Sequence, residues 1–183
     1  FRAPGEIIRG KVRVPYITLD NSVILRRHFN AVLLSKFLRH LRDEGYNPKE
    51  LDSAGKFFDQ HLETPAHYSR LAPWLDDCSP DIRAEMYSFR PWLNGVAETP
   101  IDAWIDAFVA DLENVWVGHY QITAEYYYQE MERARTQQGD RRKAREREEK
   151  YEKLLKRFRD EKLINYLSDR GVLPSYSFPL HTV

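Results

Sequence analysis

VILRRHFNAVLLSKFLRHL occupies residues 23–41, and its apolar positions recur at helical spacing. Leu25, Phe29, Val32, Leu33, Phe37 and Leu41 return every three or four residues, which lines them along one side of an α-helix. Asp20, Asn21 and Ser22 just upstream are good N-cap residues, and Gly45 supplies a stop. A helix this long with one apolar stripe has to bury that stripe against other helices. The expected fold is therefore mainly α.

Outward from this helix the pattern stays helical, with one exception. In IIRGKVRVPYITL (residues 7–19), Arg9, Lys11 and Arg13 alternate with Ile8, Val12 and Val14, the period of a short, half-exposed N-terminal β-strand. Pro15 ends that strand or places it at an edge. AGKFFDQHL (54–62), PDIRAEMYSFRPWL (80–93) and PIDAWIDAFVADLENVW (100–116) read as shorter helices. Pro80 and Pro100, behind Ser79 and Thr99, stand where first helical turns favour proline. Trp74, Trp92, Trp104 and Trp116 are expected to fill the core between these helices.

From His119 to Arg170 helix propensity is high almost throughout. Between Met131 and Tyr151 no large apolar residue occurs, so the stretch is either a solvated helix or the tip of a hairpin turning at QQGD (137–140). Gly139 is a plausible breaker, and apolar positions resume at Tyr151, Leu154, Leu155 and Phe158. The reading adopted is a protruding, charged helical hairpin. The expected organisation is then an N-terminal strand and helical core over 1–118, the hairpin over 119–170, and an extended linker over 171–183. That last stretch, GVLPSYSFPLHTV, is apolar and proline-bearing, and needs a surface to lie on. Either this chain's own helices supply it, or a following domain does.

The 183 residues carry 28 basic and 28 acidic side chains, but unevenly. Residues 1–42 have a net charge of +7, residues 43–113 of −10, and the remainder of +3. Such asymmetry points to a polyanionic partner such as DNA, or to a clamp between basic and acidic faces of one chain. A single cysteine, Cys78, excludes an internal disulfide and a cysteine-rich zinc site, and suits a reducing cytoplasm. No apolar run approaches membrane-spanning length and no signal peptide is visible. The start at Phe1-Arg2-Ala3-Pro4 leads to the expectation of a piece of a longer polypeptide.

No catalytic constellation emerges. GEIIRGKV (5–12) follows the phosphate-loop spacing except that Val12 replaces the magnesium-binding hydroxyl, and Lys11 leads into a strand rather than a helix. Asp59, His61, Glu63 and His67 lack helical ligand spacing. Asp76, Asp77 and Asp81 lack the lysine of a nuclease cluster, so Ser79 and Asp81 are read as helix caps. No cofactor, metal ion or small-molecule substrate is expected, and the chain alone is expected not to hydrolyse ATP.

EKLINYLSDRGVLPSYSFPLHTV (161–183) resembles a signature of large bacterial superfamily 2 (DEAD/DEAH-type) helicases, a helix and short turn followed by G-V-L-P-x-Y-x-F-P. VPYITLDNSVILRRHFNAVLL (14–34) is similar to a second motif of those proteins, carried here by Asn21, Arg26, Arg27, His28, Asn30 and Ala31. The resemblance covers about the first and last sixths of the chain. It implies an accessory segment of a DNA helicase, in a family that includes anti-phage defence helicases of the DISARM kind. The motor and C-terminal domains of the same polypeptide would be its partners. No Walker loop, DEAD/DEAH box or arginine-finger motif lies in these residues.

The candidate nucleic-acid contacts are Arg9, Lys11, Arg13, Arg26, Arg27 and His28 in the basic N-terminal block, with Arg141, Arg142, Lys143 and Arg145 at the hairpin tip. Arg26 and Arg27 sit near a helix N-terminus, where the dipole disfavours cations, so an anion should offset them. That anion is either a phosphate or the acidic middle of the same chain. Two rival functions are a protein-interaction module docking through the hairpin, and a metal-dependent nuclease using the acidic middle.

Overall fold

The computed structural model describes residues 22–47, 51–59, 67–86, 101–137 and 140–175. The strand expected at 8–14, Trp92, the Asn21 cap and the tail beyond Ser175 lie outside these residues. Seven α-helices are described: α1 (Ser22–Asp43), α2 (Ala54–Phe58), α3 (Leu71–Met86), α4 (Ile101–Val115), α5 (Ile122–Thr136), α6 (Arg141–Arg159) and α7 (Leu163–Asp169). A 3-10 turn (His67–Arg70) leads into α3, and a π segment (Trp116–Gln121) joins α4 to α5. The fold is mainly α, and the described residues contain no sheet beyond an isolated antiparallel bridge between Ser53 and Lys162.

Helix α1 behaves as its sequence dictates. Leu25, Phe29, Leu33, Phe37 and Leu41 are buried, joined by Leu34, while Val32 is half-buried. Burying each large side chain contributes roughly 1.5–3 kcal/mol. The helix stops at a glycine in the left-handed region, Gly45 at φ 98°. The Tyr46 N–H donates to Leu41 O and the Gly45 N–H to Arg42 O, which satisfies two carbonyls the helix end would otherwise leave open. Helix α7 ends the same way. Gly171 has φ 74°, the Val172 N–H donates to Leu167 O, and Val172 turns back into the core.

Proline 80 corrects one expectation. It lies inside α3 rather than starting a helix, and Asp81 sits mid-helix instead of capping. The missing N–H leaves the Asp76 carbonyl without its helical donor. Asp76, Asp77 and Pro80 all face solvent, where water serves that carbonyl, while buried Trp74, Leu75 and Ile82 hold both halves of the helix on the core.

Residues 101–136 form one rod, about 54 Å long at the helical rise of 1.5 Å per residue. The backbone passes through the π segment in helical geometry at both ends. Buried positions along the rod run Trp104, Phe108, Leu112, Val115, then Tyr120 and Ala124. The five-residue step from Val115 to Tyr120 would rotate an ordinary helix off the core, and the wider π turn absorbs it. The boundary expected at 118–119 falls inside this turn.

Helices α5 and α6 pair antiparallel, as expected of a hairpin. Asp140 is the N-cap of α6, accepting from the Arg142 and Lys143 N–H groups. The stretch without large apolar residues buries small ones. Ala134 is buried and Ala144 half-buried, so small residues let the two helices stay close where no large apolar side chain occurs. At the hairpin base Gly55 allows α2 to approach α6, since a Cβ there would come within 2.8 Å of Arg159 Cβ and 2.9 Å of its carbonyl oxygen. The Ala54 N–H donates to Glu161 O and the Leu163 N–H to Asp52 O, tying α2 to the start of α7. Trp74 and Trp104 are buried and Trp116 is half-buried against the core.

Candidate nucleic-acid interface

Of the ten expected contacts, Arg9, Lys11 and Arg13 lie outside the described residues. Arg26, Arg27 and His28 sit on the first turns of α1 and are engaged within the chain. Arg26 Nη2 donates to Asp111 Oδ2 at 2.7 Å and to Ala107 O at 3.2 Å, although the side chain remains 42% exposed. Arg27 Nε donates to Gly171 O at 2.9 Å, and a Cβ on Gly171 would meet Arg27 Nη2 at 3.0 Å. Asn30 Nδ2 donates to Val172 O at 3.0 Å and lies 3.5 Å from Asp111 Oδ2. Of the two anions considered, a carboxylate from the acidic middle, Asp111, stands beside Arg26, while Arg27 meets a backbone carbonyl.

This cluster joins the two stretches quoted for the helicase resemblance. Arg27 and Asn30, from the first motif, grip the carbonyls of Gly171 and Val172 in the second. Val172 and Leu173 are buried, and Ser168 Oγ donates to Pro174 O. As far as Pro174, the tail lies on this chain's own helices.

The hairpin tip is different in kind. Arg141, Arg142, Lys143 and Arg145 are all exposed. Arg142 Nε donates to Glu146 Oε1 at 3.0 Å and Arg145 Nε to Glu149 Oε1 at 3.1 Å, each one turn along α6, while Lys143 lies 3.9 Å from Asp140. Exposed pairs of this spacing are weak and screened by salt, so a stronger anion can displace the carboxylate partner.

Below the tip a carboxylate fixes the two helices in register. Glu130 accepts from Arg133 Nη1 at 2.6 Å and from Arg147 Nη2 at 2.5 Å, and its side chain is only 5% exposed. Two guanidinium groups cover it at the hairpin surface rather than the core enclosing it. The hydrogen bonds from Arg147 and then Arg133 hold its carboxyl below the usual range. At the hairpin base Asp59 is fully buried, with Arg159 Nε 2.6 Å away but not aligned on the oxygen, and Tyr120 OH donating at 3.4 Å. Burial first, then the Asp59 charge, pushes the Tyr120 phenol up, so it stays a neutral donor.

Sequence reasoning passed over the shaft of α6. Lys150, Lys153, Lys156 and Arg157 are exposed, and among the described residues none has an acidic partner. Beside them Tyr126 on α5 is 49% exposed and packs edge-on against Tyr151, whose ring centroid lies 5.7 Å from Lys150 Nζ. The signal was present as basic residues opposite the apolar line of Tyr151, Leu155 and Phe158. It was masked by the denser charge at the tip.

Among the described residues no group of three or more His, Cys, Asp or Glu side chains could hold a metal ion, and no helix is long and apolar enough to cross a membrane. No protein-family model matches the chain, and no solved structure matches it. The chain is similar to Druantia protein DruE of Escherichia coli (strain UMEA 4076-1), 26% identical over an alignment of 198 positions. The alignment takes in 98% of this chain but only 10% of the relative. The chain thus spans about a tenth of the length of the curated relative it matches.

Proposed function

We propose that this chain is an accessory, non-catalytic segment of a much larger helicase-like defence protein, and that its hairpin contacts nucleic acid beside the motor. Two supports carry the first half: the two stretches that resemble superfamily 2 helicases, and an alignment that runs along nearly all of this chain yet a tenth of Druantia protein DruE. The observation that carries the second half is the hairpin itself. A carboxylate covered by two arginines joins its two helices above an aromatic base, and exposed arginines and lysines crowd its far end. A cationic arm fits a phosphate backbone, and the contacts of α1 with α4 and with the turn after α7 tie its first turns to the rest of the fold.

Titrating the 183-residue chain with labelled DNA tests this reading. Affinity should fall linearly on a log–log scale as salt rises, because each phosphate contact releases a counterion. Absence of binding at low salt, or binding indifferent to salt, removes the nucleic-acid half of the proposal.

A second reading, docking of another protein domain, is favoured by an apolar groove of about 570 Å³ between α1 and α7. Leu34, Leu38, Leu51, Leu163 and Ile164 line it, and Ile164 is exposed. This reading predicts salt-insensitive association with a motor domain and no affinity for DNA.

A further inference from the structure

We infer that the principal nucleic-acid contact is the shaft of the hairpin rather than its tip, and that it takes a single strand. The inference rests on the nucleic-acid reading above and assigns that reading a surface and a substrate class.

Charge pairing makes the first distinction. At the tip, Arg142, Lys143 and Arg145 each have an acidic neighbour on α6, so a phosphate must compete for them. On the shaft, Lys150, Lys153 and Arg157 form no ion pair within the described residues, although Glu146, Glu149 and Glu161 stand four residues away; at the tip only Arg141 is in the same position. They stand at i, i+3 and i+7, on one line of the helix facing away from buried Leu155. Like charges at these spacings repel, and the carboxylates four residues away lie beyond ion-pair distance of them. The dipole accounts for Arg157 in the last turn of α6, but not for Lys150 and Lys153 in its middle. A polyanion lying along the shaft offsets all three.

An aromatic surface makes the second distinction. Tyr126 presents half its area to solvent, and Tyr151, packed against it, lies beside Lys150. Cations that track a backbone, flanked by an exposed aromatic face on which a base can stack, are the elements of single-strand recognition. A duplex hides its base faces and could use only the cations. Arg147, held by Glu130, also lies against this platform, at 6.0 Å from the Tyr151 ring centroid.

Fluorescence anisotropy with labelled oligo(dT), oligo(rU) and a DNA hairpin duplex tests this on the 183-residue chain. The triple variant Lys150→Ala/Lys153→Ala/Arg157→Ala should lower oligo(dT) affinity and reduce the salt slope by about two, roughly 0.7 for each lost single-strand phosphate contact. Tyr126→Ala should weaken oligo(dT) by about fivefold or more, while Tyr126→Phe, which keeps the stacking face, should bind as wild type. Oligo(rU) should behave like oligo(dT), and the duplex should bind more weakly than either. The tip variant Arg142→Ala/Lys143→Ala/Arg145→Ala should lose less than the shaft variant. If the tip variant loses most and the shaft variant nothing, the shaft assignment is overturned and the nucleic-acid reading stands. Tighter binding to the duplex, or indifference to Tyr126→Ala, overturns the single-strand assignment. If wild type binds none of the three probes, the underlying reading fails as well. All the substituted side chains are exposed or half-exposed, and thermal melts should confirm unchanged folding.

Discussion

At the scale of single residues, Arg26 and Arg27 show how the same chemistry serves two opposite readings. A cation near a helix N-terminus requires an anion, and sequence alone leaves open whether that anion is internal. Asp111 and Ala107 O engage Arg26 within the chain, and Gly171 O engages Arg27. The exposed Arg26–Asp111 pair contributes at most about 1 kcal/mol, and the Arg27 bond to Gly171 O about the same. Arg26→Ala with Arg27→Ala should therefore lower the melting temperature by a few degrees, at about 2–4 °C per kcal/mol for a chain of this size. The salt slope of DNA binding should not change. A slope reduced by about two with an unaltered melt would show that the arginines hold phosphates instead.

At the scale of elements, Glu130 makes the hairpin sensitive to acid. A carboxyl whose pKa is lower in the folded chain stabilises fully above its unfolded value and loses that contribution as pH falls through its folded value. Glu130 is such a group, lowered from 4.5 by its bonds to Arg147 and Arg133. Urea midpoints should be level from neutral pH down to that value and decline below it. Glu130→Gln should be less stable at neutral pH and decline less in acid. Parallel decline of both proteins would assign the acid loss to other carboxylates. The same elements show what was legible beforehand. Helix α1, its glycine stop and the hairpin reversal could be read because local spacing and capping decide them. Pro80 misled because the exposed face of α3 tolerates an unpaired carbonyl, which only tertiary placement reveals. The π turn was written as the five-residue step from Val115 to Tyr120, but such a step also reads as a loop. The Glu130 lock was illegible, since its partner Arg147 lies across the hairpin.

At the scale of the whole molecule, the aromatic side chains trace where cooperative packing ends. Rings are in contact from Trp74 through Phe37, Phe57 and Phe58 to Tyr120, then through Phe158 and Tyr127 to Tyr126 and Tyr151. Beyond that layer α5 and α6 are joined by Glu130, by the Arg135–Glu148 pair and by small residues. Exposed ion pairs add little to stability, so the outer hairpin should open locally while the core stays folded. Amide hydrogen exchange at neutral pH should then fall into two levels. Amides of 104–127 and 151–167 should exchange only through global unfolding and slow with overall stability. Amides of 131–136 and 141–147 should exchange much faster, and adding denaturant should change their rates little, as expected for openings that expose little surface. The separation matters for the proposed function, because a strand bound along Lys150, Lys153 and Arg157 lies on the inner level and should leave exchange in the outer one unchanged, whereas a strand bound at the tip should slow it. Equal protection throughout α5 and α6 in the free chain would mean that the hairpin and core unfold as one unit, and that the ion-paired end is as firmly built as the aromatic base.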